Sequence, residues 1–161
     1  FIPAVEKGIR LALETGVIAG FPVKDVRVVV YDGKHHSVDS KEIAFVTAGR
    51  KAFIDAVKKA GPIVLEPIAN LEITAPEAAI GDITGDLSAK RGLVSGTRTA
   101  QPGSLTVLGQ APQSELNGYQ SRLNAMTSGQ GRYSLSLSHY QAVPPNVQQQ
   151  LVGQYQAKDE D

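Results

Sequence analysis

Two adjacent histidines with lysines on either side are the residues of this chain best suited to contact nucleic acid. His35 and His36 follow Lys34, and Lys41 stands five residues beyond them. An imidazole ring can stack on a base and donate a hydrogen bond to phosphate or to a 2′-hydroxyl, and lysine contacts phosphate. On a strand the two rings would point to opposite faces, so they would not easily share a metal ion. The residues alone leave two interpretations open, a solvated turn and a nucleic-acid contact.

The glycines and serines of the chain do not form a nucleotide-binding loop or a hydrolase site. The pattern G-x-x-x-x-G-K-[ST] does not occur, and the pair Gly81 and Gly85 is followed by Asp86. These glycines fall inside a predicted helix, where we expect them to allow close packing on a sheet. The nucleophile elbow G-x-S-x-G is missing, and there is no cysteine. We therefore expect no catalytic residues, no cofactor and no metal ion in this segment.

The composition is that of a globular protein whose charge is unevenly distributed. Of 161 residues, 42% are hydrophobic and 20% are charged, and the formal net charge is zero. Residues 1–61 contain ten Lys and Arg against seven Asp and Glu, a net of +3, whereas residues 62–143 contain five against six. No apolar run approaches the length of a membrane span. We expect a cytoplasmic protein without a membrane partner, and charge alone favours nucleic acid only weakly.

Apolar periodicity predicts two helices and one strand in the first 61 residues. One helix extends from about residue 3 to residue 14, and Gly16 ends it. The other begins after a cap at Asp39 or Ser40 and continues to about Ala60. Between them, a β-branched run at residues 26–31 predicts a strand. The Gly-Pro pair at 61–62 marks the expected domain boundary.

The residues beyond this boundary predict the element order β-α-β-β-α-β, which is that of the ferredoxin-like split βαβ fold. Strands are expected at about 63–74, 93–99, 104–110 and 133–139. Helices are expected at about 77–90 and from residue 114 to the glycines at 129 and 131. A short Gln-rich helix at about 146–156 follows. The predicted fold class is therefore α+β.

Several short motifs occur in an order that spans nearly the whole chain. The first are HSVDS at residues 36–40 and EIAF at 42–45. They are followed by LEPI at 65–68, GDITGDL at 81–87 and KRG at 90–92. Together with HY at 139–140 and VP at 143–144, these motifs resemble the last two domains, IV and V, of elongation factor G. Members of that family are GTPases that move tRNA and mRNA through the ribosome.

The resemblance implies a fold and a division into domains. Residues 1–61 are expected to be the C-terminal half of an S5-domain-2-like domain IV, and residues 62–143 a complete ferredoxin-like domain V. Residues 144–161 are expected to form a C-terminal helix and tail. The sheet of a half-domain would have an unpaired apolar edge at residues 25–31. We expect a crystal neighbour, a dimer partner or upstream residues to cover that edge.

The resemblance also implies work on the ribosome. We expect an arm that enters the A site on the small ribosomal subunit, contacts tRNA and mRNA, and rests against rRNA of the large one. GTP and Mg²⁺ would be bound by N-terminal domains of a parent GTPase that this sequence does not include. His36, His35, Lys34 and Lys41 are the implied candidates for contact with tRNA and mRNA.

A second group of candidates lies in the predicted domain V. Lys90, Arg91, Gln130 and Arg132 are the implied contacts with rRNA. The family usually has arginine at the positions of Asn124 and Gln130, so the chain resembles a divergent paralogue. Two other functions stay open: a ribosome-protection or recycling factor of the same superfamily, and a stand-alone ferredoxin-like module that binds a small ligand.

Overall fold

The computed structural model describes residues 1–36 and 41–159, with side chains up to residue 156. Contacts within the chain divide it into two units. The first unit combines Phe1–Val64 with Val143–Asp161, and the second is Leu65–Ala142.

Two long helices form most of the first unit, as the apolar periodicity predicts. Helix α1 comprises Ile2–Thr15 and α2 comprises Glu42–Lys59. Gly16 follows α1 with a φ of 76°, a value that favours glycine. An acidic residue in the first turn of α2 and lysines in its last turn complement the helix dipole. The predicted cap at Asp39 and Ser40 lies outside the described residues, and the N-cap position is occupied by Lys41.

The two helices approach each other closely at two glycines. A side chain at Gly49 would place its Cβ 2.5 Å from the carbonyl oxygen of Val5, and one at Gly8 would collide with the backbone of Val46. Beside this contact, Ile9, Ala12 and Phe53 form a small buried core. The first unit therefore depends on backbone proximity as much as on apolar volume.

The predicted strand at residues 26–31 does not form, and that prediction is wrong. Residues 21–36 contain no helix or strand. Side chains of the β-branched run are exposed, from 41% for Val28 to 94% for Tyr31. High β propensity reflects packing in a sheet rather than an intrinsic backbone preference, and no described segment of the first unit supplies a neighbouring strand. The run therefore presents an uncovered apolar surface.

A C-terminal helix, α5 (Pro145–Asp159), completes the first unit. Its Gln148 accepts a hydrogen bond from the backbone N–H of Val64 at 3.1 Å through Oε1. Through Nε2 it donates to the carbonyl oxygen of Pro62 at 3.3 Å. The backbone N–H of Val143 also donates to the carbonyl of Val64, at 2.9 Å. These bonds hold the start of α5 against residues 62–64.

The second unit has the predicted ferredoxin-like topology. Its strands are β1 (Leu65–Pro76), β2 (Leu93–Gln101), β3 (Ser104–Pro112) and β4 (Arg132–Ala142). They form one antiparallel sheet in the order β2-β3-β1-β4. Helices α3 (Ile80–Ala89) and α4 (Tyr119–Thr127) connect them as crossovers. The α+β class and the β-α-β-β-α-β order are confirmed.

One continuous apolar core holds the sheet and helices of this unit together. Leu71 and Ile73 of β1, Ile83 and Leu87 of α3, and Leu123 of α4 are all at most 1% exposed. The predicted role of Gly81 and Gly85 in packing α3 on the sheet is wrong. No atom lies within 4 Å of a Cβ built at either position. Both glycines lie on the exposed side of the helix.

The second crossover begins later than the sequence predicts. Residues Gln113–Leu116 form a 3₁₀ turn, and α4 begins only at Tyr119. Gly118 separates the two with a φ of 68°, a left-handed conformation that interrupts a helix. Ser128 and Gly129, with φ of 52° and 79°, end α4 in the same way. The helix therefore starts later than predicted, and it ends just before the glycines at which the sequence predicts its end.

Candidate nucleic-acid interface

The four candidates of the first unit lie on its surface, in the loop before α2 and at the start of that helix. Lys34, His35, His36 and Lys41 are all exposed. Neither lysine forms an ion pair with a described residue. The rest of the motif that carries the resemblance, residues 37–40, lies outside the described residues. This surface combines positive charge with imidazole rings, which suits contact with an RNA backbone or a base.

An aromatic stack that the sequence analysis did not identify holds one of these histidines. The ring of Phe1 stacks on that of Phe45, with centroids 4.2 Å apart and planes inclined by 19°. His35 packs against Phe1 at 5.7 Å with an inclination of 42°. Phe1 and Phe45 both lie at the beginnings of helices, which is the signal that could have linked them. The stack orients His35 although its loop has no regular structure.

The candidates of the second unit lie at opposite ends of the sheet. The guanidinium of Arg91 contacts Glu66 near the start of β1. Arg132 of β4 lies opposite Thr74 in the strand register, near the end of β1. Eight residues along one strand correspond to about 26 Å at ~3.3 Å per residue. Lys90 belongs with Arg91, and Gln130 lies just before Arg132. The structure therefore separates the four candidates into two pairs that cannot contact the same phosphate.

Arg91 is engaged by two carboxylates. Its Nη1 and Nη2 donate to the two carboxylate oxygens of Glu66 at 2.6 and 3.1 Å, and its Nε donates to Glu115 at 3.3 Å. The side chain of Glu66 is only 9% exposed. The hydrogen bond from Arg91 to Glu66 raises the pKa of Arg91 above its usual value, although burial acts in the opposite direction. This arginine is an internal cross-link of the second unit.

The other cations of this unit divide into paired and unpaired groups. Arg98 forms an ion pair with Glu72, at 3.2 Å, and Arg122 with Asp86, at 3.5 Å. Lys90, which is half-buried, and Arg132, which is exposed, form no ion pair within residues 62–143. These two side chains carry the uncompensated positive charge of the second unit, one at each end of the sheet.

A buried tyrosine between the crossover helices has no catalytic arrangement around it. Tyr119 is 1% exposed, and its ring packs edge-on against Tyr133 with centroids 5.0 Å apart. Burial, with a smaller contribution from Asp86, raises the pKa of Tyr119 to about 12. Arg122 lies 5.1 Å from the ring centroid. A tyrosine that keeps its proton so strongly does not act as an acid or base near neutral pH.

The described residues do not fit the nucleotide and metal ion that the resemblance implies for the parent protein. Among the side chains that the structure describes, those of residues 1–36 and 41–156, no group of three or more His, Asp or Glu is placed to hold a metal ion. The chain also has no phosphate-binding loop. Within the same residues, every helix is too short or too polar to span a bilayer.

Two models of known protein domains match this chain, one after the other. Residues 1–61 match the family model described as elongation factor G, domain IV, and residues 63–151 match the one described as elongation factor G C-terminus. The chain belongs to the elongation factor G family. The resemblance seen in the motifs is confirmed, and the segments that carry elongation factor G signatures also carry the exposed histidines and lysines described above.

Individual relatives cover the chain almost completely. Elongation factor G of Aquifex pyrophilus is 44% identical over 158 residues, 98% of this chain and 22% of that protein. An elongation factor G-like protein of Thermotoga maritima is 41% identical over 152 residues, 94% of this chain and 22% of that protein. A crystal structure of a protein from Thermus thermophilus matches with a TM-score of 0.78 and 38% identity, covering 97% of this chain and 24% of that one. The chain thus spans 22% of the length of these curated relatives.

Proposed function

We propose that this chain is the ribosome-engaging C-terminal arm of an elongation factor that promotes GTP-dependent movement of tRNA and mRNA. The observation that carries the proposal is the match of both elongation factor G models, in order, to residues 1–61 and 63–151. In this proposal GTP and Mg²⁺ bind to other domains of the full-length protein, because this sequence contains no G-x-x-x-x-G-K-[ST] loop to hold the phosphates. Residues 1–61 act as part of domain IV, 62–143 as domain V, and 144–161 as a C-terminal helix and tail.

The two units have different partners in this proposal. Lys34, His35, His36 and Lys41 contact tRNA and mRNA in the A site, on the small ribosomal subunit. Their exposure and the absence of ion pairs at the two lysines, among the residues described, support this assignment. Lys90 and Arg132, which form no ion pair within residues 62–143, face rRNA of the large subunit. The arm acts by binding one ribosomal state better than another, which shifts the equilibrium toward the advanced position of tRNA and mRNA.

Replacement of His36 by alanine in the full-length protein tests the proposal. The substitution should slow tRNA–mRNA movement about tenfold and leave ribosome-stimulated GTP hydrolysis nearly unchanged, because it removes a contact that forms in the transition state of that movement and not in the starting state. Rapid-mixing measurements of both steps on the same ribosomes provide the comparison.

His139→Ala is the matched control for this experiment. His139 is also exposed, and it lies in β4 of the second unit. We expect it to leave both rates unchanged. Equal loss of GTP hydrolysis and movement in the His36 variant would contradict the contact with tRNA and mRNA. A wild-type protein that hydrolyses GTP on ribosomes without moving tRNA would instead support the recycling or protection alternative.

A further inference from the structure

We propose that Arg91 is a positioning residue that holds the turn after α3, and that Lys90 alone makes the phosphate contact at this end of the second unit. The inference rests on the proposed function, because it identifies which of two adjacent basic residues contacts rRNA. In this assignment Arg91 cross-links parts of the second unit, and Lys90 contacts the phosphate.

The backbone of the turn is held in a conformation that arginine does not favour. The N–H of Gly92 donates to the carbonyl of Leu87 at 2.7 Å, and the N–H of Lys90 donates to the carbonyl of Asp86 at 3.1 Å. Between them Arg91 has a φ of 58°. Helices that end in this way usually have glycine at that position, because a side chain is strained there. Interactions of the Arg91 side chain must therefore offset the strain.

The residue after Arg91 packs too closely against its neighbours to accept a side chain. A side chain at Gly92 would place its Cβ 2.8 Å from the carbonyl oxygen of Leu87 and 3.2 Å from that of Gln110. The glycine of the turn is thus required one residue beyond Arg91. Arg91, and not this glycine, has the left-handed backbone.

The side chain of Arg91 connects three parts of the second unit. Two parallel hydrogen bonds join it to Glu66 at the start of β1, and a third joins it to Glu115 in the 3₁₀ turn before α4. All three guanidinium nitrogens therefore donate to carboxylates. Paired hydrogen bonds of this kind hold the planar group in a fixed orientation, which a lysine could not reproduce.

The local charge also argues against a phosphate contact by Arg91. Two carboxylates surround one guanidinium, so the cluster has a net charge of −1 and does not attract an anion. Lys90, in contrast, has no ion pair among residues 62–143. The ammonium group of Lys90 is the available cation, and the cross-link determines where it points.

The salt dependence of ribosome binding by the full-length protein separates a contact from a positioning role. Each phosphate contact contributes about one unit to the slope of log affinity against log salt concentration. We expect Lys90→Ala to lower that slope by about one unit. Arg91→Lys should weaken binding about fivefold with the slope unchanged, because lysine keeps the charge but not the cross-link. A wild-type affinity for Arg91→Lys, with a slope lowered by Arg91→Ala, would overturn the inference.

Neutralising the Glu66 carboxylate gives a second test, because the two roles of Arg91 predict opposite changes in ribosome affinity. If Arg91 contacted phosphate, Glu66→Gln would release it and strengthen ribosome binding. In a positioning role the same change weakens binding, as Arg91→Lys does. Glu72→Gln is the matched control, because it removes the same charge from the same strand and releases Arg98. Glu115→Gln provides a second variant in case the buried glutamine impairs folding, and circular dichroism checks the fold of each protein.

Hydrogen exchange separates failure of this inference from failure of the proposed function. Wild-type protein that does not bind ribosomes rejects the proposed function. The cross-link is then still tested by exchange mass spectrometry of peptides that contain Gly92, whose N–H is bonded to Leu87. We expect faster exchange of that amide in Arg91→Lys and wild-type exchange in Lys90→Ala. Unchanged exchange in Arg91→Lys would overturn the positioning role whether or not the protein binds ribosomes.

Discussion

Burial determines the acid–base behaviour of Tyr119. Its pKa is raised to about 12, mainly by burial, from the ordinary value of 10.0 that it regains on unfolding. The folded protein therefore binds the tyrosine proton more tightly than the unfolded chain does. The resulting stabilisation is complete below pH 10 and is lost as the pH rises from about 10 to 12.

Tyr119→Phe should remove this part of the pH dependence. A difference of about two pKa units corresponds to roughly 2–3 kcal/mol of the free energy of unfolding. Wild-type protein should lose that amount between about pH 10 and about pH 12, in addition to losses that both proteins share, and Tyr119→Phe should not. Urea unfolding of both proteins across this range measures it. Parallel pH profiles would show that Tyr119 ionises normally in the folded state.

Single residues also show where sequence reasoning reached its limit. The motif Lys90-Arg91-Gly92 identified a basic turn after a helix, and both the helix and the turn are present. It could not distinguish the two basic residues, because the partners of Arg91, Glu66 and Glu115, lie 25 and 24 positions away along the chain. Only the folded sheet brings them together. In the same way, Phe1 reaches His35 through tertiary structure alone.

Glycines in different helices should respond in opposite ways to the same substitution. Gly49→Ala should lower the free energy of unfolding of the first unit by about 1–3 kcal/mol, because the new methyl group would press against the backbone of α1. Gly85→Ala should raise the free energy of unfolding of the second unit by about 0.5–1 kcal/mol, because alanine favours a helix. Its methyl group would contact no atom beyond the adjacent residues and the backbone of α3. Urea unfolding of the two variants tests this pair of predictions, and Gly81→Ala provides a second exposed site in α3. Stabilisation by Gly49→Ala would show that the two helices are farther apart than described.

Strands were predicted correctly where a neighbouring strand pairs with them. The strands predicted at about 63–74 and 104–110 do pair with each other, as β1 and β3 of the second unit. The run at 26–31 has stronger β-branched character, yet it forms no strand because no described neighbour hydrogen-bonds with it. The starts and ends of helices were less accurate, since Gly118 and its left-handed backbone delay α4. Local pattern thus identified the type of each element, and pairing decided whether a strand formed.

The two units have cores of very different size, which should make unfolding a process of two steps. The contiguous cluster of buried residues has three members in the first unit and twelve in the second, among the residues described. Because burial of apolar side chains is the main stabilising contribution, the first unit should unfold at the lower urea concentration. Hydrogen-exchange mass spectrometry at increasing urea should show loss of protection in α1 and α2 before β1 and β3. Simultaneous loss in both units would indicate a single cooperative transition instead.

The separation of Lys90 from Arg132 has a consequence for mechanics. A body attached at one point can pivot freely about that point, whereas attachment at two points leaves rotation only about the line that joins them. The two unpaired cations lie near opposite ends of one sheet, where the β1 positions 66 and 74 are about 26 Å apart by strand length. If both cations are bound, two contacts separated by that length resist a torque that turns the second unit. Loss of either cation would then free the orientation of the unit while it stays attached.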